Sequence, residues 1–244
     1  MMGIKNRRTL VGVGLFCLFV IFQSSSVHRS SSQVPRSSSL LIRLSSAEAP
    51  QEKREAAEQL GKALEYFTSQ KYHECLMIMQ ELNKRYRLNP RYKAYLGVCY
   101  YYEWDYEHAA KYLTEALPQL ENFSPHERSF YYWANAESYF NLQKYAEAIP
   151  SYEAMLPLCY DNERPDAYYR LGFCCLFAED WDGAWNYLLK AQDGYQHYRN
   201  TPEMKARISQ IEHMLEGLRP KVVGGVIERL KTGLSFRLHP SPFS

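Results

Sequence analysis

Four short segments of this 244-residue chain, QKYHECL, WDYEHAA, QKYAEAI and EDWDGAW, fall into register on one aromatic residue each: Tyr72, Tyr106, Tyr145 and Trp181. The spacings between these aromatics are 34, 39 and 36 residues. A period of this size constrains the fold strongly, because each period builds one supersecondary unit whose apolar face is buried only by stacking on the next.

The rest of the pattern says which unit it is. At three fixed offsets from the aromatic stand Ala63, Cys75, Leu82; Gly97, Ala109, Ala116; Ala136, Ala148, Met155; and Gly172, Ala184, Ala191. Ten of these twelve slots hold Gly, Ala or Cys. Small residues at such spacings let two antiparallel helices approach closely, since side-chain volume at the contact sets the interaxial distance. Large residues at other fixed offsets, Leu96 and Leu171, Tyr100 and Tyr139, Leu113, Tyr152 and Leu188, complete a core.

This fourfold pattern resembles the tetratricopeptide repeat family over about residues 56–192. The resemblance implies an all-α fold: a right-handed superhelical stack of about four helix pairs, helix A then helix B, plus a C-terminal capping helix. The Gly common in the family just before the turn is replaced by Gln70, Trp104, Gln143 and Glu179, so the turn is expected to be built without that hinge. Asn122 to Pro125 falls in a five-residue expansion and predicts a longer loop, and Pro150 predicts a kink in the third B helix. Thr201-Pro202 predicts the start of the capping helix and Gly217 its end.

Residues 1–47 contain six basic residues and no acid. Lys5, Arg7 and Arg8 precede thirteen apolar residues, Leu10 to Phe22, and then three serines. That order predicts a signal peptide or N-terminal anchor over residues 1–26, with an organellar transit peptide as the alternative. Residues 27–50 read as a Ser-rich linker. The repeat domain with its capping helix spans 51–218, and a basic tail spans 219–244. An extracytoplasmic location, secreted or periplasmic, follows from the leading segment, as does membrane contact confined to that segment or the tail.

From residue 48 to 218 the chain carries 18 basic and 26 acidic residues, which argues against nucleic acid as a partner. Cys174 and Cys175 fall inside the fourth A helix and read as small buried hydrophobes; neighbouring residues are also too close along the chain for an ordinary disulfide. No cysteine pair has zinc-knuckle spacing, and the scattered histidines suggest no metal site. Asp180 reads as a helix N-cap. No phosphate loop or nucleophile elbow is present, so no enzyme activity and no cofactor are expected.

In the family, fixed A-helix positions line a concave groove that binds a peptide or protein. Carried over, they give Arg91, Ala94, Val98, Tyr101 and Tyr102 in repeat two. Repeat three contributes Phe130, Trp133, Glu137, Phe140 and Asn141; repeat four contributes Asp166, Tyr169, Phe173, Leu176 and Phe177. Eight of these fifteen are aromatic, against 15% for the whole chain. Eight aromatics at roughly 200 Å² each, even half exposed, exceed the roughly 300–600 Å² of the largest apolar patch on an ordinary monomer. The groove residues expected to make contact are Tyr101, Tyr102, Phe130, Trp133, Phe140, Tyr169, Phe173 and Phe177, with Glu137 and Asp166 orienting a basic or amide group. Of the basic groove slots that bind acidic chaperone C-termini in part of the family, only Arg170 matches. The expected occupant is a protein segment, or the chain's own tail by intramolecular docking or self-association. The alternative role is a structural subunit of an envelope or membrane-associated assembly.

Overall fold

The computed structural model describes residues 50–199 and 201–236, and beyond Gly225 the backbone alone. Among these residues the chain forms four antiparallel helix pairs and a long last helix, with no strand. The A helices are α1 (Pro50–Thr68), α3 (Pro90–Tyr102), α5 (Pro125–Asn141) and α7 (Arg164–Phe177). The B helices are α2 (Tyr72–Arg85), α4 (Tyr106–Ala116), α6 (Tyr145–Met155) and α8 (Trp181–Tyr198), and α9 (Pro202–Phe236) follows. Each B helix begins on the aromatic that marks the period.

Local chemistry fixes the helix starts. Asn89 and Ser124 accept the backbone N–H of Tyr92 (3.0 Å) and Glu127 (3.3 Å), and each is followed by a proline whose missing N–H costs nothing there. Asp180 accepts the Gly183 N–H at 2.9 Å, as predicted for an N-cap.

The A helices end alike. The N–H of Lys71, Asp105, Lys144 and Asp180 each returns to the carbonyl five residues earlier, at 2.8–3.0 Å. That closure requires a left-handed residue just before, and Gln70, Trp104, Gln143 and Glu179 adopt it at φ of 59°, 67°, 61° and 58°. The expectation of a turn without the hinge is corrected: the hinge geometry is kept, by residues that pay a Cβ penalty for it.

Close approach of A to B rests on the small residues. A Cβ on Gly97 would lie 2.7 Å from Leu113 Cγ, and one on Gly172 would lie 2.8 Å from Leu188 Cγ. Ala63 and Ala136 fill the same slot in repeats one and three at zero exposure. The loop expansion contains a short 3-10 turn, Leu117–Gln119, ahead of the Ser124 cap. Pro150 sits inside α6, and the residues on both sides of it remain helical.

The last helix differs most from the sequence expectation. It begins at Pro202 as predicted but runs through Gly217, Pro220 and Gly224-Gly225 to Phe236, so the boundary at 218/219 falls inside it. Gly217 does not take the left-handed conformation that would stop a helix. Leu218 is buried just beyond it, and Lys221 places its ammonium 3.4 Å from the centroid of the Trp181 ring. Ile208, Ile211 and Leu215 bury the cap against repeat four. No described helix is long and apolar enough to cross a membrane. The signal or anchor over 1–26, the rest of the linker before Pro50, and the tail after Phe236 lie outside the described residues.

Candidate binding face

The aromatic residues of the A helices gather into two clusters, each built around B-helix aromatics. In the first, Tyr102 stacks on Tyr72 with centroids 3.8 Å apart, while Tyr101 meets Tyr102 edge-on at 5.2 Å and Tyr106 at 6.0 Å. In the second, Phe177 stacks on Tyr145 at 4.2 Å and meets Phe140 at 6.5 Å and Phe173 at 6.4 Å. Phe173 also meets Tyr169 at 4.9 Å. Tyr101, Tyr102, Phe140 and Phe173 are half-buried, and Phe177 is 55% exposed. Phe130 stands apart from both clusters, half-buried beside Tyr131 at 5.9 Å.

Of the ten residues expected to make contact, four do not face solvent, and the lining residues Ala94 and Val98 are fully buried as well. Trp133 is 2% exposed and packs edge-on against Tyr152, and its indole N–H is buried without an acceptor among the described residues. Tyr169 is buried, donates its hydroxyl to Gln210 at 3.0 Å and lies under the Arg207 guanidinium. These two rings subtract from the apolar area the sequence assigned to the groove.

The two carboxylates are also turned inward. Glu137, 1% exposed, accepts both Nε (2.7 Å) and Nη2 (2.8 Å) of Arg170 and the hydroxyl of Tyr152 (2.5 Å). Asp166, 4% exposed, accepts from Tyr195 at 2.6 Å, Arg199 at 2.7 Å and Arg207 at 3.3 Å. Neither acid is presented to a ligand, so their expected role in orienting a basic or amide group is corrected to a structural one. A buried carboxylate needs such partners, because desolvation otherwise makes its charge prohibitive.

Arg170 links this ion pair to the aromatic face. Its guanidinium lies 4.6 Å from the Phe140 centroid. Burial opposes its charge most strongly, but Glu137, Tyr152 and Tyr101 together outweigh burial, so its pKa lies above the ordinary guanidinium value. The Tyr106 phenol is likewise raised, by burial first and by Glu137 second. Burial pushes the Tyr72 phenol up to about 12.

Sequence reasoning missed Tyr72, Tyr106, Tyr145 and the Phe140–Arg170 contact. The signal was present: each ruler aromatic follows the last groove position of its own repeat by four residues, across one tight turn. In repeats two and four, the groove residues Tyr102 and Phe177 stack on the ruler aromatic of the preceding repeat.

Cys75, Cys99, Cys159, Cys174 and Cys175 are all free and buried. Burial pushes the Cys174 thiol up to about 12 and the Cys175 thiol up to about 11, so neither supplies a thiolate near neutral pH. Among the described residues no three His, Cys, Asp or Glu side chains converge as a metal-ligand set.

No protein-family model matches the chain. No curated protein matches it either. Solved structures do. YrrB, described as a TPR protein with an unusual peptide-binding site, is 20% identical, with a TM-score of 0.50 over 59% of this chain and 70% of its own. The type III secretion translocator chaperone SycD of Yersinia enterocolitica is 23% identical over 53% of this chain and 82% of its own, with a TM-score of 0.43. MamA of Desulfovibrio magneticus RS-1 is 16% identical over 68% of this chain and 93% of its own, with a TM-score of 0.47. The repeat register, the paired helices and the likeness to YrrB together give this chain the tetratricopeptide-repeat fold.

Proposed function

We propose that this chain is a non-catalytic scaffold that holds an extended protein segment along the face of its A helices. One observation carries the reading: Tyr101, Tyr102, Phe140, Phe173 and Phe177 remain open to solvent to different degrees while their positions are fixed by stacking on buried or half-buried neighbours. Rings held in place offer large apolar area to a ligand at little further cost in side-chain entropy. The peptide-binding site named for YrrB supports the same use of the fold.

With Glu137 and Asp166 neutralised internally, apolar and aromatic side chains are the contacts this face favours. The leading segment of residues 1–26 supports a place outside the cytoplasm; protease accessibility in intact cells tests that location.

Affinity capture with the full chain tests the function. Phe177→Ala and Tyr101→Ala variants are expected to lose a captured protein while remaining folded at 25 °C, with a cooperative melting transition at a lowered temperature and the wild-type hydrodynamic size. Retention of the same protein at wild-type yield by both variants would overturn the assignment to this face.

A further inference from the structure

A repeat array exposes at each end the face that an internal repeat buries against its neighbour, and such ends need a cap. The C-terminal end has α9, which buries Ile208, Ile211 and Leu215. At the N-terminal end α1 and α2 bound an open groove of about 750 Å³. Its open apolar lining is Met77, 55% exposed, and the half-buried Ile78, above a floor of buried Ala56, Leu82 and Tyr86. From another side of α2, Gln80 and Asn83 reach forward to Tyr100 and Tyr112, both at 3.1 Å, so the groove side is not the one that meets repeat two.

Charge and position select the occupant. Glu52, Glu55 and Glu81 line the groove against a single basic residue, Arg85. Glu81 is paired from outside by Lys84 at 2.6 Å, whereas Glu52 and Glu55 have no cationic partner among the described residues. The groove therefore suits a segment that is mostly aliphatic and carries one positive charge.

The chain has that segment immediately upstream. Leu40-Leu41-Ile42-Arg43-Leu44 ends six residues before α1 starts at Pro50. Six extended residues span roughly 20 Å. The stretch of α1 that lines the groove, from Glu52 to Gln59, rises only about 11 Å. The chain can therefore reverse at Pro50 and lie along the whole groove.

We propose that residues 40–44 fold back into the α1–α2 groove as the N-terminal cap of the stack, with Arg43 against Glu52 and Glu55. The aliphatic side chains cover Met77 and Ile78. Cleavage after Ser26 would leave this cap on the mature chain.

A benzophenone amino acid placed at Met77 of the full chain tests the proposal. Irradiation followed by peptide mapping is expected to show adducts within residues 40–44 in a product of single-chain mass. Arg43→Glu should lower that yield at least threefold, and adding Glu52→Lys with Glu55→Lys should restore it. A product of twice the chain mass would assign the groove to a second copy and overturn the proposal. Adducts confined to other segments or to another protein, no adduct at all, or a yield indifferent to Arg43→Glu would overturn it equally.

Discussion

The rings of Tyr72 and Tyr102 lie face to face, with centroids 3.8 Å apart and planes within 1° of parallel. Tyr72 opens the B helix of repeat one and Tyr102 closes the A helix of repeat two. Tyr145 and Phe177 repeat the relationship between repeats three and four, at 4.2 Å and 13°. The residue that marks the period is thus also a contact between one repeat and the next. Nearest-neighbour coupling of this kind is what makes a repeat array fold as a unit.

Removing either ring should therefore cost more than its own burial. Tyr72→Ala and Tyr102→Ala are each expected to lower stability by about 1.5 kcal/mol from lost apolar contact. A double-mutant cycle in urea should return a coupling of about 1 kcal/mol, the value typical of aromatic pairs. Strictly additive effects would show that the stack carries no energy of its own.

The left-handed residues before each B helix offer a gain. Gln143 and Glu179 hold φ near 60°, where an L-residue costs about 1–2 kcal/mol and glycine costs almost nothing sterically. Glycine gives back part of this by enlarging the conformational freedom of the unfolded chain. Gln143→Gly and Glu179→Gly should each stabilise the fold by about 0.5 kcal/mol, seen as a higher midpoint in urea denaturation. A lower midpoint would mean that these side chains make contacts worth more than the strain.

The fold was legible in the sequence because close approach leaves a mark at fixed spacing: Gly97 over Leu113 and Gly172 over Leu188 are read directly from the small-residue slots. The candidate face was legible only in part. Periodicity places a residue on a face, but it does not say whether a neighbouring element covers that face. Trp133 and Glu137 occupy groove positions, yet Tyr152 from α6 reaches both, and Arg170 from α7 closes over Glu137. Asp166 is covered by Arg199 and by Arg207 of the capping helix, which lies outside the repeat pattern. The course of α9 was illegible for a different reason: Gly217 and Pro220 are strong local stop signals, and burial of Leu218 together with the Lys221–Trp181 contact acts against them.

The buried pair between Glu137 and Arg170 separates a structural role from a binding one. Glu137→Ala leaves a buried guanidinium and the Tyr152 hydroxyl without their acceptor, and should cost about 3–5 kcal/mol. Replacing both partners, Glu137→Leu with Arg170→Met, should recover most of that loss, because the desolvation cost disappears with the charges. Thermal denaturation of the three variants checks this. A Glu137→Ala protein of unchanged stability would return the carboxylate to the solvent-facing role expected from the sequence.

Alkaline pH should weaken the fold through its buried acids. Burial holds the Cys174 thiol at about 12, the Cys175 thiol at about 11 and the Tyr72 phenol at about 12, all above their ordinary values. A group whose folded pKa is raised binds its proton more tightly in the folded state. Its contribution is complete below the unfolded pKa, about 8.5 for a thiol and about 10 for a phenol, and is lost as pH rises through the folded value. The melting temperature should therefore be insensitive to these groups up to pH 8 and fall steadily from about pH 9 toward pH 12. The same burial should protect Cys174 and Cys175 from iodoacetamide at pH 8 in the native protein, with full alkylation in denaturant. Fast native alkylation of either cysteine at pH 8 would mean that the α7–α8 interface opens far more readily than its packing implies.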